Sequence, residues 1–225
     1  MGIIICFPSI KQNITYNTKG DKMCKKLIGE IRNKEKKVED MPFRAREVLN
    51  YFEISDFSEG VPIVEILTKL GFKVYQSDLE PKGLSAYIAV DPKFVEAFGS
   101  NKITCVHISD NIGHKRFALA HELAHYLFDF DEKNKLHYYN TYFPQKEDNN
   151  NQEEKRANAF AANLLMPKEE FIEKFKEIRK FQELQNLYSK ADMVSSLSQY
   201  FLVSPTAVAL RFDELKECKE LKGYN

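Results

Sequence analysis

Residues 117–131 read FALAHELAHYLFDFD and contain two histidines, His121 and His125, with Glu122 directly after the first. On a helix, side chains four residues apart lie on one face, one turn apart, so both imidazoles can bind the same metal ion. Glu122 is rotated by about 100° from His121, which places its carboxylate beside the metal rather than on it. The spacing therefore predicts a metal site with an adjacent carboxylate. The alternative is a pair of buried histidines that are hydrogen-bonded within a core.

A catalytic zinc site uses three protein ligands and leaves one position open, so a third ligand is needed. Asp131 stands six residues after His125, a spacing that works when a glycine at the intervening position lets the chain turn sharply. That position is Phe128, and an aromatic residue at positive φ is costly. Asp131 is therefore disfavoured.

The second source of a ligand is the segment EEKRANAFAANLLMP, residues 153–167. It carries an apolar stripe at helical spacing, made of Ala157, Phe160, Ala161, Leu164 and Leu165. Glu154 stands one turn before Asn158 at the edge of this stripe, where a carboxylate facing the core needs a partner such as a metal ion. Glu153 lies on nearly the same face, and an acidic first turn stabilised by the helix dipole would account for both. Periodicity leaves the choice between Glu153 and Glu154 open.

Taken together, RFALAHELAHYLF and EKRANAFAANLLMP resemble the ImmA/IrrE family of zinc metallopeptidases, of the gluzincin type. The family pattern selects Glu154 as third ligand, because Ala157 and Asn158 follow it at the family's offsets. It further implies one zinc ion per chain, Glu122 as general base and Asn158 as the residue that orients a zinc-bound histidine. A weaker resemblance runs from about residue 62 to residue 215.

The family also implies how a substrate binds, since gluzincins hold an extended peptide along an edge strand. The strand-like run 103–109 directly precedes the metal helix, and we expect it to be that edge, with Ile103, Cys105 and His107 lining the substrate. The segment LHYYNTYF, residues 136–143, could supply a hydrogen-bond donor to the tetrahedral intermediate, although ordinary loop packing is the favoured interpretation.

The expected fold class is α+β: a small β-sheet packed against the two metal helices, with a helical, helix-turn-helix-like C-terminal part. Strand-like runs at 71–75, 86–90 and 103–109 supply the sheet. The expected organisation is a mostly helical N-terminal extension (1–60), a zinc metallopeptidase domain (61–190) and a C-terminal subdomain (191–225).

The C-terminal segment 191–215 reads as helix, tight turn, helix, with Ser204 as N-cap and Pro205 in the first turn of the second helix. A DNA-binding recognition helix would carry basic or amide side chains in its first turns. Residues 206–210 (TAVAL) carry none before Arg211, so a packing or substrate-docking role is favoured over DNA binding.

The composition argues against several other classes of protein. The 33 basic and 33 acidic residues cancel, which argues against nucleic acid or an anionic membrane as the main partner. The opening MGIIICFPSI is too short to span a bilayer and lacks the features of a secretory signal; a buried first strand is the favoured reading. The four cysteines are scattered without a CxxC pair, which disfavours a disulfide framework. We expect a cytoplasmic protein.

The resemblance implies a zinc-dependent metalloendopeptidase that cleaves a specific cytosolic protein. Members of the family typically cleave or control helix-turn-helix transcriptional repressors, and some act within toxin–antitoxin pairs. The resemblance therefore implies a repressor or an antitoxin as the substrate. The alternative is a non-catalytic zinc-binding regulator that acts through protein or DNA binding by the C-terminal helices. Glu122 counts against the alternative, because a purely structural site has no need of that carboxylate.

Overall fold

The protein, seen in a computed structural model, is described for residues 18–34, 36–79, 83–130, 138–141, 152–185, 189–216, 218 and 221. The helices are Thr18–Arg32 (α1), Met41–Tyr51 (α2), Ile63–Lys69 (α3), Phe94–Phe98 (α4), Ile112–Phe128 (α5), Gln152–Leu165 (α6), Lys168–Leu184 (α7), Lys190–Phe201 (α8) and Pro205–Glu214 (α9). The strands are Lys73–Ser77 (β1), Leu84–Val90 (β2), Lys102–His107 (β3) and Tyr138–Thr141 (β4). The expected α+β fold is confirmed, whereas the predicted strand in residues 1–10 lies outside the described residues.

The strands form one mixed sheet in the order β1-β3-β2-β4. β1 pairs with β3 in parallel, and the β2–β3 and β2–β4 pairs are antiparallel. β3 is therefore an interior strand, and the prediction that it is the substrate-binding edge is wrong. Its residues 103–106 are all buried, so both faces of the strand are covered, which is typical of an interior position.

Because β1 and β2 already pair with β3, the main chain around Ile103, Cys105 and His107 has no free edge for a peptide. Strand order along the chain does not give the order in the sheet: β3, the strand that directly precedes α5, lies between the two earlier strands β1 and β2. Within the described residues, β1 and β4 are the edge strands of the sheet.

Helix α5 is fixed at its first turn by a cap and by a close backbone contact. The Asn111 side chain accepts a hydrogen bond from the His114 backbone N–H, as an N-cap does. Gly113 lies against the turn between α8 and α9: a Cβ atom there would be 2.5 Å from the backbone of Val203 and of Ser204. The C-terminal helices thus pack on the start of the helix that carries the two histidines.

Helix α5 also packs against α6 and β2. The rings of Phe128 on α5 and Phe160 on α6 meet edge to face, with 5.2 Å between centroids. One buried apolar cluster contains residues from α1, from both metal helices and from α9. The three-part division of the chain stays a prediction. In the described part of the chain, no single helix is long and apolar enough to cross a membrane.

Candidate metal centre

Three side chains from two helices meet at one point. His121 and His125, one turn apart on α5, bring their Nε2 atoms to 2.9 Å from each other. Glu154, in the first turn of α6, places Oε2 3.1 Å from Nε2 of His121 and Oε1 3.3 Å from Nε2 of His125. One ligand atom from each of the three lies within 4.8 Å of the others, so the group could hold a metal ion.

The other ring nitrogen of each histidine is held by a polar side chain. His121 Nδ1 lies 2.9 Å from Asn158 Oδ1, and His125 Nδ1 lies 2.9 Å from Asp129 Oδ2. Since both partners are oxygen acceptors, each ring carries its proton on Nδ1 and turns Nε2 toward the shared centre. Two imidazoles and a carboxylate, with an acceptor behind each imidazole, are a donor set that suits a divalent transition-metal ion.

Glu122 is fully buried, and within the described residues neither of its carboxylate oxygens has a hydrogen-bond partner. Burial raises the pKa of Glu122 well above its ordinary value, although positively charged His125 and the nearby Ile88 backbone N–H act in the opposite direction. A buried carboxylate without a partner is costly. Together with the donor set, these unpaired oxygens fit a divalent cation with a polar reactant beside it.

The charges of the three ligand side chains are strongly coupled. Burial lowers the pKa of His121. Burial also acts to lower the pKa of His125, but hydrogen bonds to Asp129 and Glu154 outweigh it and raise that pKa to about 9. Hydrogen bonds from His121 and then His125 hold the pKa of Glu154 far below its usual range. Without a metal, the raised pKa of His125 favours its protonated, positively charged form at neutral pH.

Comparison with known proteins agrees with this geometry. A family model described as the IrrE N-terminal-like domain, Peptidase_M78, matches residues 67–213, which is most of the chain and includes all three ligand side chains. The chain belongs to this family.

A search for similar curated proteins gave no significant match. Among solved structures, a transcriptional regulator from Mycobacterium tuberculosis aligns with a TM-score of 0.49 and 15% identity over 89% of this chain. The aligned part is 54% of that longer protein.

The sequence-predicted residues divide clearly in this member of the Peptidase_M78 family. His121, His125, Glu154 and Asn158 meet at the centre, with Glu122 next to them, and the metal group includes Glu154 rather than Glu153. Ile103, Cys105 and His107 stay in β3, where His107 Nε2 lies 3.1 Å from Asp78 Oδ1. Asp131 and the side chains of segment 136–143 lie outside the described residues.

One residue of the site was missed from the sequence. Asp129 is the C-cap of α5, stands four residues after His125 and has a side chain that is 4% exposed. The spacing repeats that of the two histidines, so Asp129 belongs to the same helix face. An acidic residue on that face, at the end of an apolar helix, was the available signal.

Proposed function

We propose that this protein is a zinc-dependent endopeptidase that cleaves a specific protein substrate. The observation that carries the proposal is Glu122: a buried carboxylate without a hydrogen-bond partner among the described residues, beside a His–His–Glu group. A purely structural metal site would not need that carboxylate, whereas peptide hydrolysis needs a base at this place. Membership of the Peptidase_M78 family supports the same chemistry.

His121, His125 and Glu154 would hold the zinc ion. When bound, zinc polarises the scissile carbonyl and makes a water molecule more acidic. Glu122 then accepts the proton of the attacking water and returns it to the leaving amine nitrogen. Burial raises the pKa of Glu122, which makes its carboxylate a stronger base for the first of these steps.

For the substrate, the family resemblance favours a cytoplasmic helix-turn-helix repressor or an antitoxin. Two features of the fold are relevant to its binding. β4 is the sheet edge that contacts α5 and is the strand along which an extended peptide could add. The α8–α9 pair, bent by 104°, offers a surface outside the metal site for docking a folded partner.

The test compares wild type with Glu122→Gln, which keeps the shape of the side chain but cannot act as the base. Both are loaded with zinc and incubated with the repressor or antitoxin encoded by the neighbouring gene. We expect Glu122→Gln to bind zinc and partner like wild type and to cleave about 10²–10⁴ times more slowly. Glu153→Gln, the same change in the first turn of α6, is the matched control and should cleave at the wild-type rate.

Equal cleavage by wild type and Glu122→Gln would point to a contaminating protease and remove the proposal. Tight binding of the partner without cleavage by zinc-loaded wild type would instead establish the non-catalytic regulator. Metal content, measured on the same preparations, separates both results from a failure to load zinc.

A further inference from the structure

The two histidines of the metal centre are held by different kinds of partner. His121 Nδ1 faces the amide oxygen of Asn158, a neutral acceptor, whereas His125 Nδ1 faces the carboxylate of Asp129. A carboxylate acceptor fixes the ring orientation more strongly and makes the opposite nitrogen a better donor to a metal. The two rings are therefore unequal, and the stronger constraint lies on His125.

The second carboxylate oxygen of Asp129 is also hydrogen-bonded. While Oδ2 faces His125, Oδ1 accepts a hydrogen bond from Nη2 of Arg156, on α6. The side chains of Asp129 and Arg156 are 4% and 11% exposed, so this ion pair is largely removed from solvent. A buried ion pair is often no more stabilising than well-packed apolar residues, and stability alone is a weak reason for it.

Arg156 is held in turn by a segment that includes Arg32 and Lys36 and that precedes residue 67, where the family match begins. Its Nη1 donates to the backbone carbonyl of Lys36 at 3.1 Å, and Lys36 Nζ donates to the carbonyl of Phe128, at the end of α5. Arg32 Nη2 donates to the carbonyl of Tyr126 at 2.8 Å. Two basic side chains at the carbonyl end of α5 also suit the helix dipole. The segment thus holds both Arg156 and the helix end that carries Asp129.

We propose that Asp129 is a positioning residue for His125 and that Arg156 keeps the Asp129 carboxylate in place. In this arrangement Asp129 accepts the Nδ1–H of His125, so that Nε2 points at His121 and Glu154. Arg156 prevents the carboxylate from turning away, because it occupies the oxygen that His125 does not use. The inference deepens the proposed function, since it rests on the same three ligands.

The test measures zinc affinity by chelator competition in three variants. Asp129→Asn keeps the shape but removes the charge, and zinc should bind about 10- to 100-fold more weakly, as for loss of other outer partners of metal ligands. Arg156→Gln, which leaves Asp129 intact, should weaken zinc binding about tenfold. Lys155→Gln removes the same charge from the exposed neighbour on α6 and should leave the affinity at the wild-type value.

A second readout separates positioning from a merely structural role. In ¹⁵N-labelled protein, the Nδ1–H proton of His125 should exchange slowly with water in wild type and faster in Asp129→Asn and Arg156→Gln. Circular dichroism checks that each variant is folded; should Asp129→Asn fail to fold, Arg156→Gln carries the test alone.

Wild-type affinity in both variants would overturn the proposal, and so would weaker binding with an unchanged exchange rate at His125. If wild type binds no zinc, the proposed function fails. The exchange rate, measured on metal-free protein, still decides whether Asp129 and Arg156 hold the ring.

Discussion

Helix α6 carries a polar cluster at each end, and the two clusters are built differently. At its start, Glu154 joins the metal centre, where the carboxylate oxygens of Glu122 stay without a partner among the described residues. At its end, Asn163 joins Arg211 of α9, whose side chain is 1% exposed. Nε, Nη1 and Nη2 of Arg211 donate to the carbonyl of Met166, to Glu214 and to Asn163, at 3.1, 2.6 and 2.8 Å.

The difference separates a structural cluster from a functional one. Buried polar groups in native proteins are nearly always hydrogen-bonded, and the Arg211 cluster follows that rule with protein atoms alone. The Glu122 carboxylate departs from the rule among the described residues, which fits a site that receives a polar reactant. It also follows that Arg211, the basic residue of the helix-turn-helix-like segment that DNA binding would have to use, is engaged in the interior.

The largest effect is expected from removing the third ligand. Glu154→Ala should weaken zinc binding more than the 10- to 100-fold that loss of an outer partner costs, because the cluster loses a donor atom itself. Isothermal titration or chelator competition measures it. Glu153→Ala, one residue earlier in the same turn, should bind zinc like wild type.

The variant Asp131→Ala tests this ligand set most directly. The variant should keep its zinc, since His121, His125 and Glu154 form the metal group without Asp131. If Asp131→Ala loses zinc while Glu154→Ala retains it, the metal centre is assigned to the wrong carboxylate.

The next effect concerns the opposite end of α6. Arg211→Met leaves the carbonyl of Met166 and the amide oxygen of Asn163 without their donor, which should cost about 3 kcal/mol of unfolding free energy. The melting temperature should fall by about 6–12 °C, while zinc affinity stays unchanged. Arg179→Met, at a partly exposed ion pair on α7, should cost about 0.5 kcal/mol or less. A stable Arg211→Met protein that has lost zinc would show that the two clusters are coupled.

The two clusters also differ in how well the sequence predicts them. The helical spacing of His121, Glu122 and His125 requires only local geometry, so the sequence alone indicated a metal site. Glu154 had to be chosen over Glu153 by family resemblance, because both glutamates lie on nearly one face of α6. The Arg211 cluster was not predicted, since its partners Met166 and Asn163 are more than 40 residues away and meet it only through tertiary packing.

The sheet shows the limit of such reasoning most clearly. The three strand-like runs were predicted within two residues of the observed ends of β1, β2 and β3. Strand order, however, depends on which edges meet after the chain has crossed over, and neighbours along the chain are a weak guide to it. β3 was therefore placed at an edge, although its unbroken run of apolar and small residues is more typical of an interior strand.

A smaller effect comes from pH, to which the metal cluster should respond far more than the Arg211 cluster. The pKa of His125, about 9 without metal, means that zinc must displace a proton at any lower pH. Zinc affinity should therefore rise about tenfold per pH unit between pH 6 and 8, as titrations at several pH values would show. An affinity that is flat over this interval would mean that His125 is already neutral.

The same raised pKa of His125 affects the metal-free fold with a definite sign. A histidine whose pKa is raised on folding contributes stability that is complete below its ordinary pKa of about 6.5 and is lost as the pH rises toward 9. The raised pKa of Glu122 acts in the same direction, because burial disfavours its ionised form. Metal-free protein should thus melt at a lower temperature at pH 9 than at pH 6.5, whereas saturating zinc, which displaces the His125 proton, should largely remove this difference.

The smallest effects should come from two helix caps: the cap of α5, which carries the two histidines, and the cap of α9, which carries Arg211. Asn111 caps α5 through the His114 N–H at 2.9 Å, and Ser204 caps α9 through the Ala207 N–H at 3.1 Å. Replacing either cap by alanine should cost about 1 kcal/mol, or about 2–4 °C in melting temperature. Zinc affinity should stay within about twofold of wild type in both variants. Fraying is confined to the first turn of the capped helix, and His121 lies nine residues after Ile112, the first residue of α5. A drop in zinc affinity for Asn111→Ala but not for Ser204→Ala would show that the start of α5 is coupled to the ligands, and that the histidine pair is held by the whole helix rather than by its local spacing.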